Sequence, residues 1–259
     1  MQEGNFLYTE KCSMIIGLLD RGCIGGVSMV AVIFPAAGKG KRMGAGKNKV
    51  FLDLLGTSIL IRSLLKFSCL AEVGFLIVVV GKEEVAETER LLSREKGLKP
   101  WRVVAGGTER QYSIANGLAL LPKDADIVLV HDAARPLVTA ETIKAVIDKA
   151  REACGAIAAV PSKNTIKVVS TGGMVEETPA RKNLWVVQTP QGFPREMLIK
   201  AYRKAAEDDF LGTDDASLVE RLGVPVAVVM STYENIKITT PGDMLLAKAV
   251  LCEADTRGF

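Results

Sequence analysis

From Met29 onward the chain alternates short apolar runs with longer stretches in which apolar residues recur every three or four positions. Residues 30–34, 75–80, 101–105, 127–131, 156–160 and 226–230 are rich in Val and Ile with little polar alternation, the mark of strands buried on both faces. Residues 58–68, 83–96, 110–121, 140–153, 195–207, 214–222 and 242–253 carry the period of amphipathic helices. Strand and helix in regular succession predict a mainly parallel sheet with helices on both faces, a doubly wound α/β domain.

Two sections break this rhythm. Residues 165–170, the turn Thr171-Gly172-Gly173 and residues 184–189 read as β segments with no helix between them. A β-arm over about 162–189 that leaves the domain cannot bury both of its faces alone, so it predicts a homodimer through the arm, the alternative being a hairpin that lies on its own domain. The other section is the first 28 residues, where Gly17, Gly22, Gly25 and Gly26 and flanking charges discourage both a stable helix and a signal peptide. The expected organisation is an N-terminal extension, 1–28, peripheral or a start-site artefact, followed by one domain, 29–259.

Composition narrows the chemistry. With 48% hydrophobic and 24% charged residues, the chain of 259 residues has the balance of a folded globular protein. The five cysteines are widely spaced and odd in number, which excludes a complete disulfide framework and predicts reduced thiols in the cytoplasm. No apolar run approaches the roughly 18 residues of a membrane span. His131 is the only histidine, so two-histidine metal motifs are excluded. A net charge of +3 is too small to imply nucleic acid by bulk electrostatics, and any anion site must be a local cluster.

That cluster follows the first strand. PAAGKGKRMGAGKNK, residues 35–49, combines small residues that let backbone approach phosphate oxygens with a run of cations. Met43 stands where a dinucleotide fingerprint needs its third glycine, and no P-loop spacing can be drawn. Ala36, Ala37 and Gly38 thus read as part of a polyphosphate cradle. In GGTERQYSIANGL, residues 106–118, two glycines permit a tight turn, and Thr108 with Gln111 has capping-box spacing. VHDAARP, residues 130–136, places Asp132 and Arg135 at the carboxyl end of a strand, where open parallel sheets bind ligands. Asp132 offers a hard oxygen ligand suited to Mg²⁺, and His131 reads as a packed neighbour. GTDDAS, 212–217, reads as a capped helix start, and ENIKIT, 234–239, as an edge strand.

With TIK at 165–167 and TPQGF at 189–193, these motifs in this order resemble the 2-C-methyl-D-erythritol 4-phosphate cytidylyltransferases of non-mevalonate isoprenoid synthesis, over roughly 30–240. The resemblance implies a Rossmann-like nucleotidyltransferase fold, a homodimer through the β-arm, CTP as co-substrate and Mg²⁺ as cofactor, and neither nucleic acid nor membrane as a partner. It implies that Arg42, Lys49 and Lys237 stabilise the transition state and that Ala36, Ala37, Gly38, Gly107, Arg110 and Ser113 bind the nucleotide. Arg135, Thr165, Arg181 and Thr189 would bind the methylerythritol phosphate, with Arg181 offered in cis or across the dimer, and Asp132 would bind the metal with help from Glu234. The family's usual Pro-Lys-Gln reads Asn48-Lys49-Val50 here, and Lys47 rivals Lys49. A cytidylyltransferase for ribitol 5-phosphate or another polyol phosphate, and a non-catalytic nucleotide-binding protein, are the alternative readings.

Overall fold

A computed structural model describes residues 29–38 and 48–257. The extension 1–28 and the cations Arg42 and Lys47 lie outside the described residues. A seven-stranded sheet organises the chain. Its strands are β1 (Met29–Pro35), β4 (Val73–Val80), β5 (Trp101–Ala105), β6 (Ala125–Val130), β7 (Ala156–Pro161), β10 (Trp185–Pro194) and β11 (Ala227–Met230), in the spatial order β11-β7-β10-β6-β1-β4-β5. All neighbours pair in parallel except β10, which runs antiparallel between β6 and β7.

Side-chain alternation in β1 divides the core. Val30, Val32 and Phe34 face α1 (Ile59–Ser68) and α4 (Ala140–Ala153), while Ala31 and Ile33 face α3 (Arg110–Leu118), α5 (Arg195–Glu207) and α6 (Asp215–Glu220). Both faces are covered, which is why the central strands need no polar face. The helix α2 (Val85–Arg94) contributes Leu92 to the first cluster. A third cluster joins Leu54 and Ile59 to Leu137, Ile238 and Ala247, seating the C-terminal helix α7 (Pro241–Arg257) beside the loop that carries Lys237. Among the described residues no helix is long and apolar enough to cross a membrane.

Several local expectations need correction. Residues 234–239 form no strand; their backbone is tied to the sheet end through the Ile238 amide, which donates to the Ala134 carbonyl at 2.8 Å. The minimal hairpin of β2 (Asp53–Leu54) and β3 (Thr57–Ser58) has no sequence-level counterpart because two-residue strands carry no period. The irregular section also differs from a simple arm. Its outer hairpin is only β8 (Val168–Val169) with β9 (Val175–Glu177), closed by Gly173 at φ +80°. From Trp185 the chain already pairs with β7, and it continues through a register shift after Val187 into the centre of the main sheet. Pro190 and Gly192 read as strand breakers in sequence, yet both belong to this strand.

Candidate active site

The loops after β1, β5 and β6 open on one edge of the sheet and enclose a cleft of about 330 Å³. Chain direction sets this position. β4 and β5 extend the sheet on one side of β1 and β6 returns on the other, so the loops diverge where the strand order reverses.

The first wall begins at Ala36, whose amide donates to the Val79 carbonyl at 2.7 Å. Pro35, Ala36, Ala37 and Gly38 line the cleft, and the chain returns to it at Asn48 and Lys49. Asn48 escaped the sequence reading except as a departure from the family pattern, yet it ties the two ends of this loop together. Its Nδ2 donates to the Ala36 carbonyl at 2.6 Å and to Glu84 Oε2 at 3.1 Å, and its Oδ1 accepts from the Val50 amide at 3.3 Å. Lys49 therefore begins a 3-10 turn, Lys49–Phe51, whose position is fixed from within the protein.

The second wall is the turn after β5. An added Cβ at Gly106 would fall 2.7 Å from both Ala37 Cβ and Ser113 Oγ, so only glycine lets this turn approach the first wall. Gly107 is held by Ser113, whose hydroxyl accepts from the Gly107 amide at 3.1 Å and donates to the Glu109 carbonyl at 3.0 Å. The capping box expected from Thr108 and Gln111 is not formed. Glu109 occupies the N-cap position without a side-chain cap, and Gln111 instead spans Phe210 and Gly212. Thr108, Glu109 and Arg110 line the cleft, so the start of α3, which has no side-chain cap, lies at it.

Asp132 forms the third wall, almost fully buried, with three cations around one carboxylate. Lys237 Nζ lies 3.0 Å and Arg135 Nε 3.3 Å from Oδ2, and Arg110 Nε lies 3.8 Å from Oδ1. Burial alone would favour the neutral acid, but Lys237, Arg110 and Arg135 outweigh it and hold Asp132 ionised well below the usual carboxylate range. Lys237 reaches this point because its neighbour Ile238 is buried in the third core cluster, leaving the intervening side chain to face the cleft. Burial also dominates at Arg135, whose pKa is lowered despite Asp132.

His131 is completely buried. Its Nε2 faces the Arg135 carbonyl at 3.0 Å and must therefore donate, while Nδ1 lies 3.2 Å from the Thr189 hydroxyl. The neutral tautomer accepts from Thr189, whose oxygen in turn accepts from the Asp132 amide at 3.0 Å. Burial pushes the imidazole down to about 4.

Of the residues singled out in sequence, the cleft brings together Ala36, Ala37, Gly38, Lys49, Gly107, Arg110, Ser113, Asp132 and Lys237. Arg135 stands behind Asp132 and donates through Nη1 to the Asn235 carbonyl at 2.7 Å. Thr189 is buried beneath Asp132. Thr165 and Arg181 lie exposed on the arm, away from this cleft, and Arg181 donates to the Lys163 carbonyl at 3.3 Å. Glu234 is exposed at the turn before Lys237. No group of three or more metal-ligating side chains occurs among the described residues, so a divalent cation here would draw most of its ligands from substrate and water.

A glycine-bounded cleft at the switch point, with cations grouped about one ionised carboxylate, defines an α/β enzyme that binds a nucleotide through its phosphates. The pattern of the 2-C-methyl-D-erythritol 4-phosphate cytidylyltransferase family matches residues 30–253. The family's enzyme from Caldanaerobacter subterraneus subsp. tengcongensis is 44% identical over 86% of this chain and 98% of its own length, and that from Bacillus pumilus is 47% identical over 85% and 96%. The crystal structure of 4-diphosphocytidyl-2C-methyl-D-erythritol synthase from Anaerococcus prevotii covers 88% of the chain with a TM-score of 0.78 at 30% identity, and all of that protein is matched. The chain belongs to the 2-C-methyl-D-erythritol 4-phosphate cytidylyltransferase family.

Proposed function

We infer that this protein transfers CMP from CTP to 2-C-methyl-D-erythritol 4-phosphate, giving 4-diphosphocytidyl-2-C-methyl-D-erythritol and pyrophosphate, in isoprenoid precursor synthesis. The observation that carries this reading is the family match over 30–253, laid on a cleft built for phosphate. The same match does not favour a ribitol 5-phosphate enzyme or a silent nucleotide binder.

The residue inventory suits the reaction. A phosphate monoester has a second pKa of about 6, so the attacking oxygen of the substrate is already largely ionised near neutrality and needs no general base. His131, buried and neutral with both ring nitrogens engaged, has no proton to exchange with the cleft. What remains is alignment and charge stabilisation as oxygen attacks the α-phosphorus and pyrophosphate departs. Lys49 and Lys237 line the cleft for that task, and Arg42 belongs to the same cationic run of sequence as Lys49. The backbone of 36–38 and 107–110, with Ser113 behind it, would hold the nucleotide.

Mg²⁺ fits this donor set through Asp132, a single hard carboxylate whose Oδ1 has only the 3.8 Å contact to Arg110. When bound, the ion would supply charge neutralisation to the triphosphate. Glu234 would contribute through water at most. Thr165 and Arg181 lie outside their own chain's cleft, which supports a homodimer in which the arm of one subunit brings Arg181 to the substrate of the other. Val168, Val169, Met174, Val175 and Val186 are exposed on and beside this arm, an apolar surface suited to association. A cytoplasmic setting agrees with the exposed thiols of Cys69 and Cys252.

Pyrophosphate release from CTP and Mg²⁺ should require methylerythritol phosphate and fail with ribitol 5-phosphate. Lys49→Ala and Lys237→Ala should each lower turnover by about 100-fold or more, the scale of losing a transition-state donor. Absence of release with every polyol phosphate offered would overturn the reading.

A further inference from the structure

Arg110 is a cleft residue shared between two carboxylates, and the two contacts are unequal. Its Nη2 lies 2.7 Å from Asp215 Oδ2, whereas its Nε lies 3.8 Å from Asp132 Oδ1. The Arg110 side chain is one-third exposed, at 32%, and opens on the cleft, while Asp215 is wholly buried behind it. The second oxygen of Asp215 accepts from the Tyr202 hydroxyl at 2.5 Å, so both oxygens of this carboxylate are committed to protein partners and neither reaches ligand.

Asp215 is itself held from three sides. It opens α6 behind the N-cap Asp214, whose carboxylate accepts from the Ser217 amide at 3.0 Å and from Gln191 Nε2 at 2.8 Å. Gln191 Oε1 accepts from the Ala216 amide at 3.0 Å, fixing the helix start to β10. Tyr202 belongs to α5 and is buried in the second core cluster. Burial works against the charge on Arg110, yet Asp215 and then Asp132 more than compensate, leaving its pKa raised.

We propose that Tyr202 and Asp215 are positioning residues that hold Arg110 against the rear wall, away from Asp132, so that the guanidinium faces the nucleotide and Asp132 Oδ1 stays open. A buried carboxylate is an unfavourable choice for packing alone and is stable only with close partners. Here its ionic partner is an arginine that lines the cleft. Asp132 is the other carboxylate paired with Arg110, so without Asp215 the guanidinium closes on it. This inference rests on the cytidylyltransferase reading for the identity of the nucleotide, but its test does not depend on turnover.

The test is CTP affinity, measured by titration calorimetry on the intact protein in a double-mutant cycle. Asp215→Asn should weaken CTP binding about tenfold, and Tyr202→Phe should do so by a smaller factor. In the Arg110→Gln background the same two substitutions should have no further effect, because they act only through that side chain. Additive losses, as a general loosening of α5 and α6 would give, overturn the proposal, as does unchanged affinity in the single variants. If Asp215→Asn fails to fold, the Tyr202→Phe arm carries the cycle by itself, since it deletes one hydroxyl and keeps the ring. Wild-type protein that binds CTP but releases no pyrophosphate with methylerythritol phosphate would refute the assigned reaction and leave this cycle readable. Wild-type protein that binds no CTP refutes both.

Discussion

At the scale of single residues, the site contains two buried polar groups kept in opposite states. Asp132 stays charged because Lys237, Arg110 and Arg135 surround it; His131, next to it in sequence, stays neutral because it is sealed from water. The histidine has a consequence for stability. Its folded pKa of about 4 lies below the ordinary histidine value of 6.5, so the unfolded chain binds the proton first. Its contribution is complete above the unfolded value and is lost as pH falls from there towards 4. Between pH 7 and 5 this one group should remove about 2 kcal/mol of unfolding free energy. Urea unfolding at the two pH values measures it, and His131→Gln should flatten that slope. Little of this was legible beforehand. HDAARP marked the place, and the family resemblance singled out Asp132 and Lys237, which the structure brings within 3.0 Å of each other, but the link from Arg110 to Asp215 and Tyr202 joins residues about a hundred positions apart, and no periodicity records such a contact. Asn48 was visible only as a mismatch.

At the scale of elements, the six strands and most of the helices were readable because each obeys one period along its length, but two of the strands expected to be buried on both faces are not: β5 is half-exposed throughout, and β11 at the sheet edge turns Val228 and Met230 to solvent. Failures occurred where two periods meet. β10 combines an exposed half, Trp185 to Val187, with a buried half from Gln188 to Phe193, and the register shift between them hides its continuity. Its antiparallel direction is a property of topology, which no local pattern encodes. Gly192 within it is required by its neighbours. An added Cβ would sit 2.7 Å from Leu129 Cδ2, 3.0 Å from Val146 Cγ1 and 3.3 Å from Ala150 Cβ. Gly192→Ala should therefore destabilise the fold by about 1–3 kcal/mol, the usual range for overpacking a filled core. A lowered denaturant midpoint with an unchanged slope would be the signature.

At the scale of the whole molecule, net charge says little and its placement says much. The chain carries +3 overall, while the segment 39–49 alone holds five cations and no acid. The apolar arm predicts an assembled enzyme. Sedimentation should give a dimer at micromolar concentration, and Val168→Glu combined with Val175→Glu should shift it to monomer. If Arg181 serves the partner's substrate, that monomer retains CTP affinity and loses turnover; a monomeric variant with full turnover would remove the trans assignment. β10 gives this arrangement a further meaning. The strand that carries Val186 and Val187 at the root of the arm is the one whose Thr189 hydroxyl receives the Asp132 amide and touches His131. Only Gln188 separates the exposed Val187 from the Thr189 hydroxyl that holds the Asp132 amide. In a dimer built through the arm, drift in this short stretch would be judged twice over, once for the fit between subunits and once for the orientation of a single hydroxyl, so assembly and chemistry could not be retuned independently there.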